Sequence, residues 1–454
     1  MPHEEGLSLV CTQQPMNIAS GIGLTAGTRV VAAMISLVVS LVVPRLLGPA
    51  QAGAYAYLIL IPSFLTLLAD LGLTKSMVYH TGRQAFPMES LVAHATVVAL
   101  ALGIAVVLLW TVTLHLLPSL RLESLPIVAL VAASTCVPID IYARFLAFIW
   151  LGAGNVIRYN ILELTRVITN ACLVIGCLLI LERNALIAFF GWYLAVVATA
   201  GLATLLTWRY RPHRVVLDID LIKRLLRFGL RGYWADLANF LNHRWDLYVV
   251  SWWLGASALG YYALSVNIAE RLWIWTLAAA PMTLAYVSAT NATTQGPTPA
   301  VARATLWLTA ASAVGVAIVA RWLINFLYGP LFLPSLIPLL LLLPGVVVVS
   351  VAAVLADDLN GRGRPELASA LSVASLVVSL TAGIILIPNH GINGAAMATS
   401  LGYSVQACLA LALYQQVVGG DWRDAVMLQR SDLTQLLKRI SSLRARERQR
   451  PATG

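Results

Sequence analysis

Twelve runs of about twenty apolar residues recur along the chain, at roughly 20–43, 53–79, 89–117, 125–150, 156–181, 185–208, 230–253, 259–286, 302–327, 331–356, 367–388 and 392–417. A helix rises 1.5 Å per residue, so each run can cross a hydrocarbon core of about 30 Å. Hydrophobic residues make up 59% of the sequence and charged residues 11%, whereas soluble domains average about 45–50% and 25%. The expectation is an all-α integral membrane protein with about 12 transmembrane helices, referred to below as segments 1 to 12.

The first segment is too long for the apolar region of a cleavable signal and has no basic stretch before it. The five cysteines (Cys11, Cys136, Cys172, Cys177 and Cys408) show no C-x-x-C spacing and read as small core residues. Neither disulfides, zinc nor any cofactor is implied.

A net charge of +10 raises the question of nucleic acid, but the placement of the charge answers it. Connections after even-numbered segments carry Lys75 and Arg83, then Arg158, then Arg209, Arg211, Arg214, Lys223, Arg224 and Arg227, then Arg303, then Arg362 and Arg364. The tail adds Arg423, Arg430, Lys438, Arg439, Arg444, Arg446, Arg448 and Arg450, while odd connections offer little beyond Arg45, Arg121 and Arg183. By the positive-inside rule, both termini and the even connections are cytoplasmic. Nucleic acid is not a partner on this reading, and membrane lipids are, through a secondary attraction of the basic excess to anionic head groups. In LIKRLLRFGLR, Lys223, Arg227 and Arg231 recur every fourth residue while Leu221, Leu225 and Leu226 fall elsewhere. That pattern suits an interfacial helix, read as an orientation anchor in preference to a regulatory lipid site. The tail LTQLLKRISSLRARERQR reads as solvated and partly helical.

The stretch LGPAQAGAYAY (47–57) is echoed by LGASALGYYAL (254–264). Both follow an odd segment, 1 and 7, and lead into an even one, six segments apart. Two six-helix bundles related by duplication would show this, a parallel repeat of the kind transporters use. The glycines allow a tight turn, and the tyrosine of each copy is expected at the head-group level. The implied organisation is an N-terminal six-helix bundle (1–208), a cytoplasmic basic linker with an interfacial helix (209–229), a C-terminal six-helix bundle (230–418) and a basic cytoplasmic tail (419–454). The two pseudo-symmetric bundles would surround a central polar cleft.

A charge near the bilayer centre costs at least about 2.5–3.5 kcal/mol on insertion scales, so such residues pair, face a cavity or work. Segment 1 carries Thr25, Arg29, Ser36 and Ser40; segment 2, Asp70 and Lys75; segment 4, Asp140 and Arg144; segment 5, Glu163, Arg166 and Asn170. Segment 8 has Asn267, Glu270 and Arg271. Segment 7 is richest: Asp236, Asn239, His243 and Asp246 share one helical face, with Asn242 and Arg244 nearby. Structural readings stand beside these. Asp140 with Arg144, and Glu163 with Arg166, sit at spacings that allow mutual neutralisation. His243 reads as an interior histidine with no second ligand at metal spacing. Arg29 and Arg271 lack such local partners, since adjacent Glu270 points elsewhere on the helix.

The sequences RLLGPAQAGAYAYLILIPSFLTLLADLGLTKS and RFGLRGYWADLANFLNHRWDLYVVSWWLGASALGYYALS resemble the Wzx-type polysaccharide flippases of the multidrug/oligosaccharidyl-lipid/polysaccharide exporter superfamily. The resembling pieces are R-x-L-G-x-x-x-x-G-x-Y after segment 1, A-D-L-G-L ending segment 2, F-G-L opening segment 7, and D-x-x-x-x-x-W-W-L-G closing it. The resemblance implies alternating access in a bacterial cytoplasmic (inner) membrane. The cargo would be undecaprenyl-diphosphate-linked oligosaccharide repeat units, moved from the cytoplasmic to the outer leaflet for O-antigen, capsule or exopolysaccharide. It further implies cooperation with a polysaccharide polymerase and glycosyltransferases. A diphosphate-linked glycan needs cationic side chains along a hydrated path. Arg29, Arg166, Arg244 and Arg271 are therefore the candidate substrate-binding residues. Trp234, Trp245, Trp252, Trp253, Trp273 and Trp275 are equally readable as sugar platforms or as packing. Asp70, Asp236 and Glu270 are candidate coupling-ion residues. The alternatives are a multidrug or cation-coupled exporter of the same superfamily and a peptidoglycan-precursor flippase, which usually has fourteen helices. Less favoured is a membrane glycan polymerase or ligase, because the outer connections are short and hold no nucleophile or paired carboxylates. No enzyme is expected.

Overall fold

The computed structural model describes residues 18–210, 218–279, 283, 287 and 296–429, with side chains from Leu24 onward. Cys11, Arg211, Arg214 and the tail from Arg430 lie outside the described residues.

Among the described residues every regular element is helical. Ten continuous stretches are long and apolar enough to cross a membrane, and two of these are broken at a glycine, giving twelve crossings. The stretch Ile18–Asp70 breaks at Gly48 (φ 73°, ψ 170°) into α1 (18–47) and α2 (49–70). A short helix, α3 (Leu73–Gly82), follows, then α4 (Met88–Leu116), α5 (Ile127–Gly152), α6 (Val156–Ile180) and α7 (Ala185–Thr207). The stretch beginning at Ile219 breaks at Gly255 (φ 80°, ψ −173°) into α8 (219–254) and α9 (256–279). Then come α10 (Thr298–Leu327), α11 (Leu336–Gly361), α12 (Pro365–His390), α13 (Ile392–Val418) and the short α14 (Trp422–Val426).

The helices fall into two compact units: residues 1–265 with 321–336, and residues 266–320 with 337–454.

In the first unit, the repeated L-G-x-x-x-x-G-x-Y segments pack against each other. The first glycine of each copy adopts the same positive-φ, extended-ψ geometry, which side chains disfavour. The second glycines, Gly53 and Gly260, mark the crossing. A Cβ on Gly53 would stand 2.7 Å from Gly260 N and nearer still to the Ala256 carbonyl oxygen; one on Gly260 would stand 2.9 Å from the Pro49 carbonyl carbon. This approach encloses the tyrosines expected at the head-group level: Tyr55 and Tyr262 are both buried in protein. The Tyr262 hydroxyl donates to Asp246 Oδ2 at 2.6 Å.

From that crossing α2 and α8 run together. Trp252 Nε1 donates to the Tyr57 hydroxyl (3.3 Å), Tyr248 donates to the Leu60 carbonyl (2.9 Å), and Phe64 lies against both Tyr248 and Phe240. At the far end α2 stops at Asp70, nine residues short of the boundary expected from hydropathy. The reason is local. Leu71 and Gly72 take positive φ (46° and 74°), and the Asp70 carboxylate accepts from Gly72 N (3.1 Å), Thr74 N (3.3 Å) and the Thr74 hydroxyl, capping α3. Gly72 abuts Gly229 of α8, where a Cβ would meet backbone at 2.7 Å. The basic segment 221–231 is continuous with α8. Asp218 caps that helix through the backbone N–H groups of Asp220 and Leu221, and its own N–H donates to His94 Nε2 at 2.8 Å.

The second unit is fastened by a buried carboxylate. Asp358, near the end of α11, accepts from Thr298 Oγ1 (2.6 Å) at the start of α10 and from Arg362 Nε (2.5 Å). Helices α12 and α13 pack through small residues, Gly402 lying on Ser375 and Ser379. The α14 segment is tied to α10: Arg303 donates to the Asp424 carbonyl and Trp307 Nε1 to the Val426 carbonyl at 3.0 Å.

Candidate functional site

The turn at 153–155 reverses the chain, and the Asn155 side chain caps α6 by accepting from Arg158 N at 3.1 Å. α5 and α6 therefore run antiparallel, and residues equally far from the turn face one another. Asp140 and Arg166 are such a pair. Each lies about thirteen residues from the turn, or ~20 Å along a helix, well within the ~30 Å apolar thickness.

Asp140 is buried. Its Oδ2 accepts from Arg144 Nε at 2.8 Å, one turn along the same helix, and its Oδ1 accepts from Arg166. A lone carboxylate at that depth would be expensive, and two guanidiniums offset the cost. The carboxylate is enclosed, yet the Arg144 and Arg166 side chains remain 42% and 29% exposed, so the cationic side of the triad is the accessible one. The triad carries a net charge of +1. Asp70 and Glu163 act electrostatically on Arg144, and Arg29, Glu163 and Arg166 act on the Tyr159 hydroxyl. Three guanidiniums and three carboxyls of α1, α2, α5 and α6 thus share one region of the first unit.

Five of the seven residues singled out from sequence lie in this unit and two in the other. Arg29 is exposed on α1 and forms no ion pair with any described residue. Arg166 does pair, though with Asp140 across the helix interface and not with Glu163 three residues away, because the antiparallel packing brings the buried carboxylate onto it. Asp70 is engaged as a cap. Asp236 accepts from Lys75 Nζ at 2.7 Å, linking α3 to α8. Arg244 is half-buried beside Tyr248, with a 3.4 Å contact to the His243 carbonyl. Glu270 and Arg271 lie in the second unit, Arg271 exposed in the 3-10 turn Arg271–Trp273 of α9.

The shared face of segment 7 divides on folding. Asn239 is exposed, His243 donates through Nδ1 to the Asn239 carbonyl at 2.7 Å, and Asp246 is buried against Tyr262. Among the described residues no three His, Cys, Asp or Glu side chains gather as metal ligands. Of the tryptophans, Trp234, Trp252, Trp253 and Trp275 are exposed, Trp245 is buried, and Trp273 lies against Tyr403. What sequence reading missed is the third arm of the Asp140 triad. The D-x-x-x-R spacing on segment 4 disclosed two of its members, but Arg166 joins them only through tertiary packing.

Residues 42–337 match the family described as polysaccharide biosynthesis protein. Among solved structures, the fold is similar to the lipid II flippase MurJ in an inward closed conformation, with a TM-score of 0.70 at 16% identity over 85% of this chain and 87% of that one. It is also similar to an inward-facing multidrug resistance MATE family transporter of the MOP superfamily, with a TM-score of 0.67 at 15% identity, covering 84% of this chain and 98% of that one. An outward-facing MATE structure aligns at a TM-score of 0.55 and 15% identity over 88% and 93% of the two chains. No curated protein sequence matches the chain. With the family match spanning most of the sequence, the chain belongs to the polysaccharide biosynthesis protein family, and its fold is similar to those of the lipid II flippase MurJ and MATE family transporters.

Proposed function

We propose that this protein is a flippase that moves polyprenyl-diphosphate-linked oligosaccharide repeat units from the cytoplasmic to the outer leaflet by alternating access. The observation that carries the reading is the Asp140 triad, an enclosed carboxylate that holds two partly accessible guanidiniums at membrane depth. Arginine suits phosphate because its planar fork donates two parallel hydrogen bonds. Arg166, with Arg29, which forms no ion pair among the described residues, supplies a cationic surface on α1 and α6 for the diphosphate, and Arg271 and Arg244 are further contacts for phosphate or acidic sugar. The polyprenyl tail stays in lipid, so only the head group needs a polar path. Membership in a polysaccharide biosynthesis family and a fold shared with a lipid II flippase both support a lipid-linked sugar as cargo. The basic even-numbered connections support cytoplasmic termini in a bacterial inner membrane. A polymerase and glycosyltransferases are the expected collaborators.

The test is flipping in proteoliposomes, with a fluorescent undecaprenyl-diphosphate oligosaccharide as cargo and its lipid-free sugar as control. Wild type is set beside Arg29→Ala and Arg271→Ala. Protein-dependent movement of the lipid-linked form, reduced in both folded variants, is the expected result. Movement of small organic cations with the lipid-linked sugar left in place would replace this reading with a multidrug exporter.

A further inference from the structure

Near the junction of α2 and α3, the surface lysines of the first unit have carboxylate partners. Lys75 meets Asp236 at 2.7 Å and Lys223 meets Asp220 at 3.7 Å. Two neighbouring arginines do not. Arg83 and Arg224 are exposed, and neither meets a carboxylate among the described residues. Aromatic rings hold both instead: the Arg83 guanidinium stands 4.6 Å from the Tyr79 ring centre and that of Arg224 5.8 Å from Phe86. Tyr79 in turn stacks on Phe228 at 4.2 Å, which joins α3 to α8.

His80 sits inside this aromatic frame, with its ring 5.1, 5.7 and 5.8 Å from Tyr79, Phe86 and Phe228. Its Nε2 is enclosed and has no hydrogen-bond partner among the described residues. Arg83 and Arg224 both act electrostatically on this imidazole, and together with burial they lower its pKa. The two guanidiniums thus stand over Tyr79 and Phe86, the rings that flank this imidazole, and neither has an acidic partner among the described residues. Two like charges held on one aromatic frame with no carboxylate beside them are favoured by an anion that joins them. The place is also informative: α3 directly follows a membrane-crossing helix, and Arg224 lies in the second turn of another, which puts the cluster at head-group level.

We propose that Arg83, Arg224 and His80 form a binding site for the phosphate group of a membrane-lipid head. The two guanidiniums donate to the phosphate oxygens, and the cation–π contacts fix them before the ligand arrives, which reduces the ordering cost. A bound anion offsets the two guanidinium charges beside His80 and so favours its protonated ring, whose charge adds to the attraction without direct contact. The site does not depend on the transport reading, because any lipid carrying an exposed phosphate satisfies it.

The full-length protein, delipidated in detergent, is titrated calorimetrically with dioctanoyl phosphatidylglycerol, with undecaprenyl diphosphate, and with dioctanoylglycerol as phosphate-free control. At least one phosphate lipid binds, and R83Q/R224Q weakens it by about tenfold or more, the loss of two charge-assisted bonds. R83K/R224K, which keeps charge but not the fork, recovers part of the affinity. The phosphodiester does not itself titrate near neutrality, so tighter phosphatidylglycerol binding at pH 6 than at pH 8, abolished in H80Q, reports the histidine. Binding of phosphatidylglycerol identifies bulk anionic phospholipid as the source, and binding of undecaprenyl diphosphate alone identifies the polyprenyl carrier. Equal affinities in wild type and R83Q/R224Q, or equally tight dioctanoylglycerol, overturn the site; a flat pH profile in wild type removes His80 from it.

Discussion

The crossing of the two glycine repeats makes a sharp prediction for Gly260→Ala. The added Cβ would sit 2.9 Å from the Pro49 carbonyl carbon and 3.1 Å from Gly53 N, and closer still to the Pro49 oxygen. Carbon atoms prefer about 3.5–4.0 Å, so the helices must separate by roughly 0.6 Å or more. All the obstructing atoms are backbone, and no rotamer change relieves them. Overpacking of this kind costs about 1–3 kcal/mol, which is a 5- to 150-fold change in the balance between this closed arrangement and any state with the crossing parted. Spin labels at exposed Ala50 and Ser257, on a background lacking native cysteines, read the separation directly. Gly260→Ala should shift the distance distribution outward and lower the unfolding temperature. Gly201→Ala on α7 is the matched control. A Cβ there meets nothing within 4 Å, so the substitution should stabilise the helix by roughly 0.5–1 kcal/mol. If Gly260→Ala left both the distances and the unfolding temperature unchanged, the crossing would not be what holds this end of α2 and α9 together.

Asp140→Asn leaves Arg144 and Arg166 without their carboxylate; since both guanidiniums are partly exposed, the loss should fall near the low end of the range for broken buried pairs, about 3 kcal/mol, read by thermal unfolding in detergent. A change below ~0.5 kcal/mol would mean the triad is not enclosed. Lys75→Met should cost only about 0.2–1 kcal/mol, because the Lys75–Asp236 bridge is largely exposed, and the charge-swapped Lys75→Asp/Asp236→Lys protein should recover it in a double-mutant cycle. Burial, with Arg224 and Arg83 alongside, lowers the His80 pKa, so the fold favours the neutral ring. Stability from this group is complete above its unfolded value of 6.5 and declines as pH falls through the lower folded value; the corresponding slope in unfolding temperature between pH 8 and 5 should diminish in His80→Gln.

The twelve crossings were legible because apolar length is a one-dimensional property, and so was the repeat, because its glycines recur at fixed spacing. What the repeat does was not legible. Spacing shows that Gly53 and Gly260 correspond, but that they touch depends on how α2 and α9 pack, and the same contact buries tyrosines that hydropathy alone places at the head groups. The end of α2 shows the opposite error. Hydropathy carries the run to residue 79, while Asp70, Leu71 and Gly72 stop the helix through a side-chain cap and two positive φ angles, a local signal that an averaging window passes over. Among the charged residues, i, i+4 pairing could be read directly, whereas the Asp140–Arg166 and Lys75–Asp236 links join residues far apart in the chain and needed the fold.

The D-x-x-x-R spacing recurs along the chain, and at Asp140–Arg144 and Asp358–Arg362 it serves different ends. Asp358 is wholly enclosed, Arg362 nearly so, and the third partner is a neutral hydroxyl from Thr298. Charge and hydrogen bonding are satisfied there, three residues from the end of α11, as a fastening between helices requires. Asp140 lies far deeper from its helix end, its second guanidinium comes from the neighbouring helix, and both guanidiniums stay partly exposed, with Asp70 and Glu163 also acting on Arg144. A fastening between helices does not need partly exposed guanidiniums, because charge left open at membrane depth adds desolvation cost. On the proposed flippase reading, an anionic cargo would meet the accessible faces of Arg144 and Arg166 and recover that cost on binding. The contrast between an enclosed guanidinium and two partly accessible ones, invisible in a shared spacing, is what distinguishes the proposed substrate site from the clamp.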